Sequence, residues 1–185
     1  MTSIYRPPWR VDVTIRDGAR PTMLATGVTI GSLARSMVAA LVAAEAPGPG
    51  SIGLILSDDG ELASLNEAHL GHDGPTDVLS FPLLPATAFP RHSGEPADRR
   101  AGASAPLFAL PPGRRPHLGD VVVSVERAIE QAVEGRGGHT GDVRWSPADE
   151  LRLLVIHGTL HVCGWDPAEA AEEAAMRAQE RRLLG

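Results

Sequence analysis

Two histidines, His157 and His161, stand four residues apart within SPADELRLLVIHGTLHVC at 146–163. On an α-helix that spacing puts both rings on one face with Cβ atoms about 5–6 Å apart, within reach of a single metal ion. Two neutral imidazoles on a rigid helix suit zinc. The alternative reading is a pair of core histidines satisfied by ordinary hydrogen bonds. Gly158 stands where a zinc protease of the HExxH type carries its glutamate base, which argues against that chemistry. An interior glycine also costs a helix about 1 kcal/mol against alanine, so this one implies a close approach to the backbone. Asp166 follows shortly after and has two readings. It is a carboxylate ligand, or it caps a last helix that starts at Pro167. Cys163, two residues beyond His161, points about 200° away around the helix and reads as a small buried thiol.

These side chains need a scaffold. Ser146 is a suitable N-cap, Pro147 fits the first helical position, and Asp149 and Glu150 suit the positive helix start. The run Leu153-Leu154-Val155-Ile156 makes the helix apolar on most sides, hence buried. Upstream, WRVDVTI at 9–15 alternates with the period of a half-buried strand, and SIGLILS at 51–57 reads as a buried one. Residues 77–84 return to strand, with Pro82 favouring an edge or an end, and GDVVVS at 119–124 is another strand. Helices are expected over 32–45, from Asp58 or Asp59 to about 68, over 125–134, and at the C-terminus. Residues 69–76, HLGHDGPT, read as a loop. The expected class is α/β (α+β): one small mixed sheet of about four strands packed with helices, the histidine helix buried.

Composition narrows the chemistry. All 17 basic residues are arginine, so lysine Schiff bases and P-loop lysines are excluded. A net charge of −6 argues against a nonspecific nucleic-acid coat. One cysteine excludes an intramolecular disulfide framework and a multi-cysteine zinc site. No secretory signal is visible and no uncharged apolar stretch approaches the ~18 residues of a spanning helix, so a cytoplasmic, membrane-free chain is expected. One domain over 1–185 is expected, with a flexible, proline-rich insertion at 85–117 that has no valine or isoleucine. Arg91, Arg99, Arg100, Arg114 and Arg115 against Glu95 and Asp98 give that stretch +3, leaving −9 elsewhere. His92, His117 and His139 lie in Gly/Pro-rich sequence and are expected to be solvated.

The run His157-Gly158-Thr159-Leu160-His161-Val162-Cys163-Gly164-Trp165-Asp166 resembles the HGxLHLxGYDH signature of the YbeY family, metal-dependent endoribonucleases of bacterial rRNA maturation. Gly71, Asp73, Pro75 and Thr76 with Asp77-Val78-Leu79-Ser80-Phe81-Pro82 resemble that family's YRGKDKPTNVLSFP, and Leu118-Gly119-Asp120 its LGDI. The ending, with Met176, Glu180, Leu183 and Leu184, also fits. The resemblance implies one zinc ion on His157 and His161, with Asp166 the neighbouring carboxylate that could join them if it does not cap the last helix, and an RNA cleft that includes Gly71, His72, Asp73, Thr76 and Ser80. It implies single-stranded rRNA and the small ribosomal subunit as partners, in processing and ribosome quality control, with no DNA. Three departures accompany it. Pro167 replaces the signature's third histidine, Leu70 replaces an arginine, and His72 and Gly74 replace two lysines. Proline cannot ligate a metal, and the loop loses its charge-assisted phosphate donors. A weakened or inactive homologue that binds the ribosome is therefore the alternative expectation. Any RNA contact would then pass to the arginines of 85–117; the alternative reading of that stretch is a soluble linker with scattered charge.

Overall fold

A computed structural model describes residues 1–100, 115–134 and 146–185. Strands β1 (Thr2–Arg6), β2 (Trp9–Ile15), β3 (Gly50–Ser57), β4 (Val78–Pro82) and β5 (His117–Ser124) form one sheet in the order β1-β2-β3-β5-β4. The central β2, β3 and β5 are parallel, and the edges β1 and β4 run antiparallel to their neighbours. Helices are α1 (Arg20–Ala25), α2 (Ile30–Ala43), α3 (Asp59–Leu70), α4 (Val125–Glu134), α5 (Pro147–Val162) and α6 (Ala170–Leu184). Mixed α/β architecture is as expected. The sheet has a fifth strand, β1, whose residues are mostly exposed and carry no apolar alternation to announce it. Its Ser3 hydroxyl donates to Asp12 of β2 at 2.6 Å.

The period-2 pattern decides which sheet face is dry. Val11, Val13, Ile52, Leu54, Leu56, Val121 and Val123 share the large core with Leu33, Met37 and Leu41 of α2 and the apolar run of α5. The opposite face is covered near β4 and β5 by α3, where Leu62 meets Leu79 and Val122. Helix α5 packs on α2, α4, α6, β4 and β5, so its long apolar run is buried as expected. Among the described residues no helix is long and apolar enough to cross a membrane.

Residues 85–100 lie against this body, whereas 101–114 fall outside the described residues, as do His139 and Arg114. Phe89 enters the core, and the His92 ring stacks on Trp165 with centroids 3.9 Å apart. That corrects the expectation of a solvated His92. His117 is likewise engaged: it begins β5, bonded at 3.0 Å to the Ser51 hydroxyl and at 3.0 Å to Asp120. Nor are Arg99 and Arg100 available for RNA. Arg99 pairs with Glu172 of α6 and donates to the Asp166 carbonyl at 2.7 Å, and Arg100 pairs with Glu95 and caps the Phe89 carbonyl at 2.7 Å. Glu172 is wholly buried and the Arg99 side chain 18% exposed, so the pair is desolvated and each charge depends on the other. Arg99→Ala should therefore cost about 3 kcal/mol in urea unfolding, part of it recovered when Glu172→Gln is added. A loss under about 0.5 kcal/mol, the size of an exposed pair, would contradict this docking of 85–100.

Candidate metal centre and cleft

Helix α5 starts as its sequence dictates. Ser146 accepts from the Asp149 amide at 3.2 Å while the Asp149 carboxylate reaches back to the Ser146 amide at 3.3 Å, a capping box. Beyond it, between Leu153 and Val162, every residue is buried except His157 and His161. Gly158 explains how that face is brought so close to the sheet. A Cβ there would lie 2.5 Å from Val121 Cγ1, 3.0 Å from Val78 Cγ2 and 3.2 Å from the Ser80 hydroxyl. The close approach inferred from this glycine is thus by strands β4 and β5. Ser80 completes it, its hydroxyl donating to the Gly158 carbonyl at 3.0 Å.

With the helix seated, the two rings cross at 73° with centroids 4.6 Å apart, and their Nε2 atoms converge to 3.0 Å. Two nitrogens on one tetrahedral zinc, each at about 2.0–2.1 Å, would stand roughly 3.3 Å apart, so the pair fits one ion with a few tenths of an ångström of adjustment. On its other side His157 Nδ1 lies 2.6 Å from Glu180 Oε1 on α6. A carboxylate oxygen can only accept, so Nδ1 carries the proton, and in the neutral ring that a metal needs the His157 Nε2 lone pair faces His161. Burial, and after it the neighbouring His157, pushes His161 down to about 4. The group is therefore neutral near pH 7, the form a metal needs. Burial also pushes the Cys163 thiol up to about 12, so that side chain is the inert buried thiol expected.

The other sequence-predicted residues are placed differently. Asp166 is exposed and does not cap the last helix. Its amide donates to Glu172 at 3.1 Å, its carbonyl accepts from Arg99, and α6 begins only at Ala170 with Glu169 as N-cap. Among the described residues no three His, Cys, Asp or Glu side chains gather at metal-binding spacing, so the structure does not bring Asp166 to the pair. Gly71 ends α3 with φ 68°, and Gly74, φ 90°, accepts from Asn66 at 2.9 Å, which shapes the loop that carries exposed His72 and Asp73. Thr76 donates to Asp77 at 3.3 Å, and Leu70 stands 57% exposed. His69 packs edge-on against Phe81, on the sheet face away from α5. Sequence reasoning missed Glu180 as a site residue. Its signal was present: Glu172, Met176 and Glu180 repeat every four residues and are the buried residues of α6.

Residues 26–185 match the family model described as Endoribonuclease YbeY. This chain belongs to the YbeY family. YbeY-family relatives bearing that name include one from Salinispora tropica, 40% identical over 133 residues, 72% of this chain and 71% of the relative. One from Roseiflexus sp. is 38% identical over 138 residues, 74% of this chain and 70% of the relative, and one from Moorella thermoacetica is 36% identical over 155, 84% of each. The YbeY frame accounts for the matched histidine segment and loop.

Two outcomes follow from the geometry. Gly158→Ala should destabilise the protein by about 1–2 kcal/mol despite alanine's better helix propensity, because overpacking against Val121 and Val78 outweighs it; a stabilised variant would contradict the seating. For His161, a folded-state value below the unfolded 6.5 means the unfolded chain takes up the proton first. Its contribution is complete above about pH 6.5 and is lost, at roughly 1.4 kcal/mol per pH unit, as pH falls towards 4. Urea midpoints of metal-free protein should fall between about pH 6.5 and 4, and less steeply in His161→Gln; equal slopes would refute the assignment.

Proposed function

We propose that this chain is a zinc-dependent endoribonuclease that cleaves single-stranded rRNA during maturation and quality control of the small ribosomal subunit. The observation that carries this reading is the convergence of the His157 and His161 Nε2 atoms to 3.0 Å on a helix that exposes no other side chain between Leu153 and Val162. Membership in a family whose relatives are named endoribonucleases supplies the reaction class. Zinc bound there would polarise a phosphate oxygen and lower the pKa of a bound water towards ~7. The chain's own residues do the rest. His157 and His161 hold the ion, and Glu180 anchors His157. Ser80 ties β4 to the helix beneath the pair. In this proposal the 71–76 loop, with Gly71, His72, Asp73 and Thr76, is the segment that contacts RNA.

A second reading has its own support. No third ligand joins the pair among the described residues, and Leu70 and Pro167 replace groups that the family pattern uses. In this reading the chain binds small-subunit particles without cutting RNA.

Metal content measured together with cleavage of single-stranded rRNA fragments separates the two. Stoichiometric zinc, with cleavage lost in His161→Ala and metal affinity raised in Pro167→His, is the expected result. Metal-free protein that still binds small-subunit particles would overturn the enzyme reading.

A further inference from the structure

Helix α6 places two carboxylates where an amphipathic helix normally carries apolar side chains. Glu172, at one end of the stripe, is taken up by Arg99 and the 165–166 turn. Glu180, two turns later, has a side chain 10% exposed and accepts from His157 Nδ1, 23 residues upstream in sequence. A carboxylate buried at that level is costly unless paired. In packing terms alone, a leucine or methionine would fill the position more cheaply, as Met176 does one turn earlier. The geometry of the pair shows what the carboxylate adds. The bond falls on the ring nitrogen opposite the one that faces His161. It fixes the tautomer, the ring rotation and the direction of the remaining lone pair at once.

We propose that Glu180 is a positioning residue of the metal site: it holds His157 in the Nδ1–H form, aims Nε2 at the point shared with His161, and supplies a negative charge beside an otherwise neutral two-histidine ligand set. This rests on the reading of His157 and His161 as metal ligands. It also bears on the missing third histidine. A site with two imidazoles and no third protein ligand brought to it has less ligand charge and less orientation to spare, so it depends more heavily on the outer carboxylate.

The test measures two properties in the full chain, for wild type, Glu180→Ala, Glu180→Gln and His157→Ala. One is zinc affinity, by competition with a chromophoric chelator. The other is the His157 tautomer in metal-free protein, by long-range proton–nitrogen NMR. Wild type is expected to show Nδ1–H at His157 and to bind zinc, and His157→Ala to lose binding. Glu180→Ala should lose the fixed tautomer and bind zinc about 10–100-fold more weakly. Glu180→Gln, whose amide oxygen still accepts from Nδ1, should keep the tautomer and bind between the two. A purely structural role would lower the melting temperature and leave tautomer and affinity unchanged in folded Glu180→Ala. That result overturns the inference, as does wild-type zinc affinity in Glu180→Gln should the alanine variant not fold. Wild type that binds no zinc overturns the underlying metal reading instead, a distinct outcome.

Discussion

The contact between helix α5 and the sheet at Gly158 has no room for a Cβ, and the site depends on that contact. With Val121 and Val78 occupying the space a side chain would need, the helix lies flush against β4 and β5, and Ser80 bonds the strand to the helix backbone. A helix so seated, with α2, α4 and α6 on its remaining sides, has little surface left. Between Leu153 and Val162, the part that escapes burial is the stripe holding His157 and His161. Rings on a rigid, mostly dry scaffold lose little freedom on capturing an ion, and burial keeps His161 in its neutral form.

Helix α6 extends the same logic with charge. Its inner stripe carries two glutamates, one on each side of Met176, Glu172 paired with Arg99 and Glu180 with His157. Glu172 gathers Arg99, the Asp166 amide and the His92 edge, and so fastens the 89–100 segment and the turn after α5. Glu180 fastens His157. In a buried setting, each carboxylate penalises any arrangement that leaves it without its partner. The two together specify where α6, the turn and the histidine ring sit relative to one another.

Much of this was readable locally. The alternation of 9–15, the apolar run of 51–57, the Asp58 cap, the 125–134 helix and the start of the histidine helix at Ser146 and Pro147 all match the structure, because each depends on a period or a cap within one segment. What escaped depends on partners far apart in sequence. Strand β1 is recognisable only through its pairing with β2. His92, in proline-rich sequence, gives no local sign that Trp165 waits 73 residues later. Asp166 and Pro167 form a favourable helix start in isolation. In the fold, Arg99 and Glu172 take the Asp166 backbone into a turn, and the helix begins later. At the site, the histidine pair was legible from spacing alone, whereas the carboxylate behind it required the tertiary packing of α6 on α5.

Binding of one metal ion by His157 and His161 through Nε2 is the proposal on which the others rest. X-ray absorption at the zinc edge of the zinc-loaded protein measures this directly. Two imidazole nitrogens at about 2.0–2.1 Å are expected, with oxygen completing the shell and the outer-ring scattering of histidine. A first shell with no imidazole signature, or one with sulfur at about 2.3 Å, would contradict it.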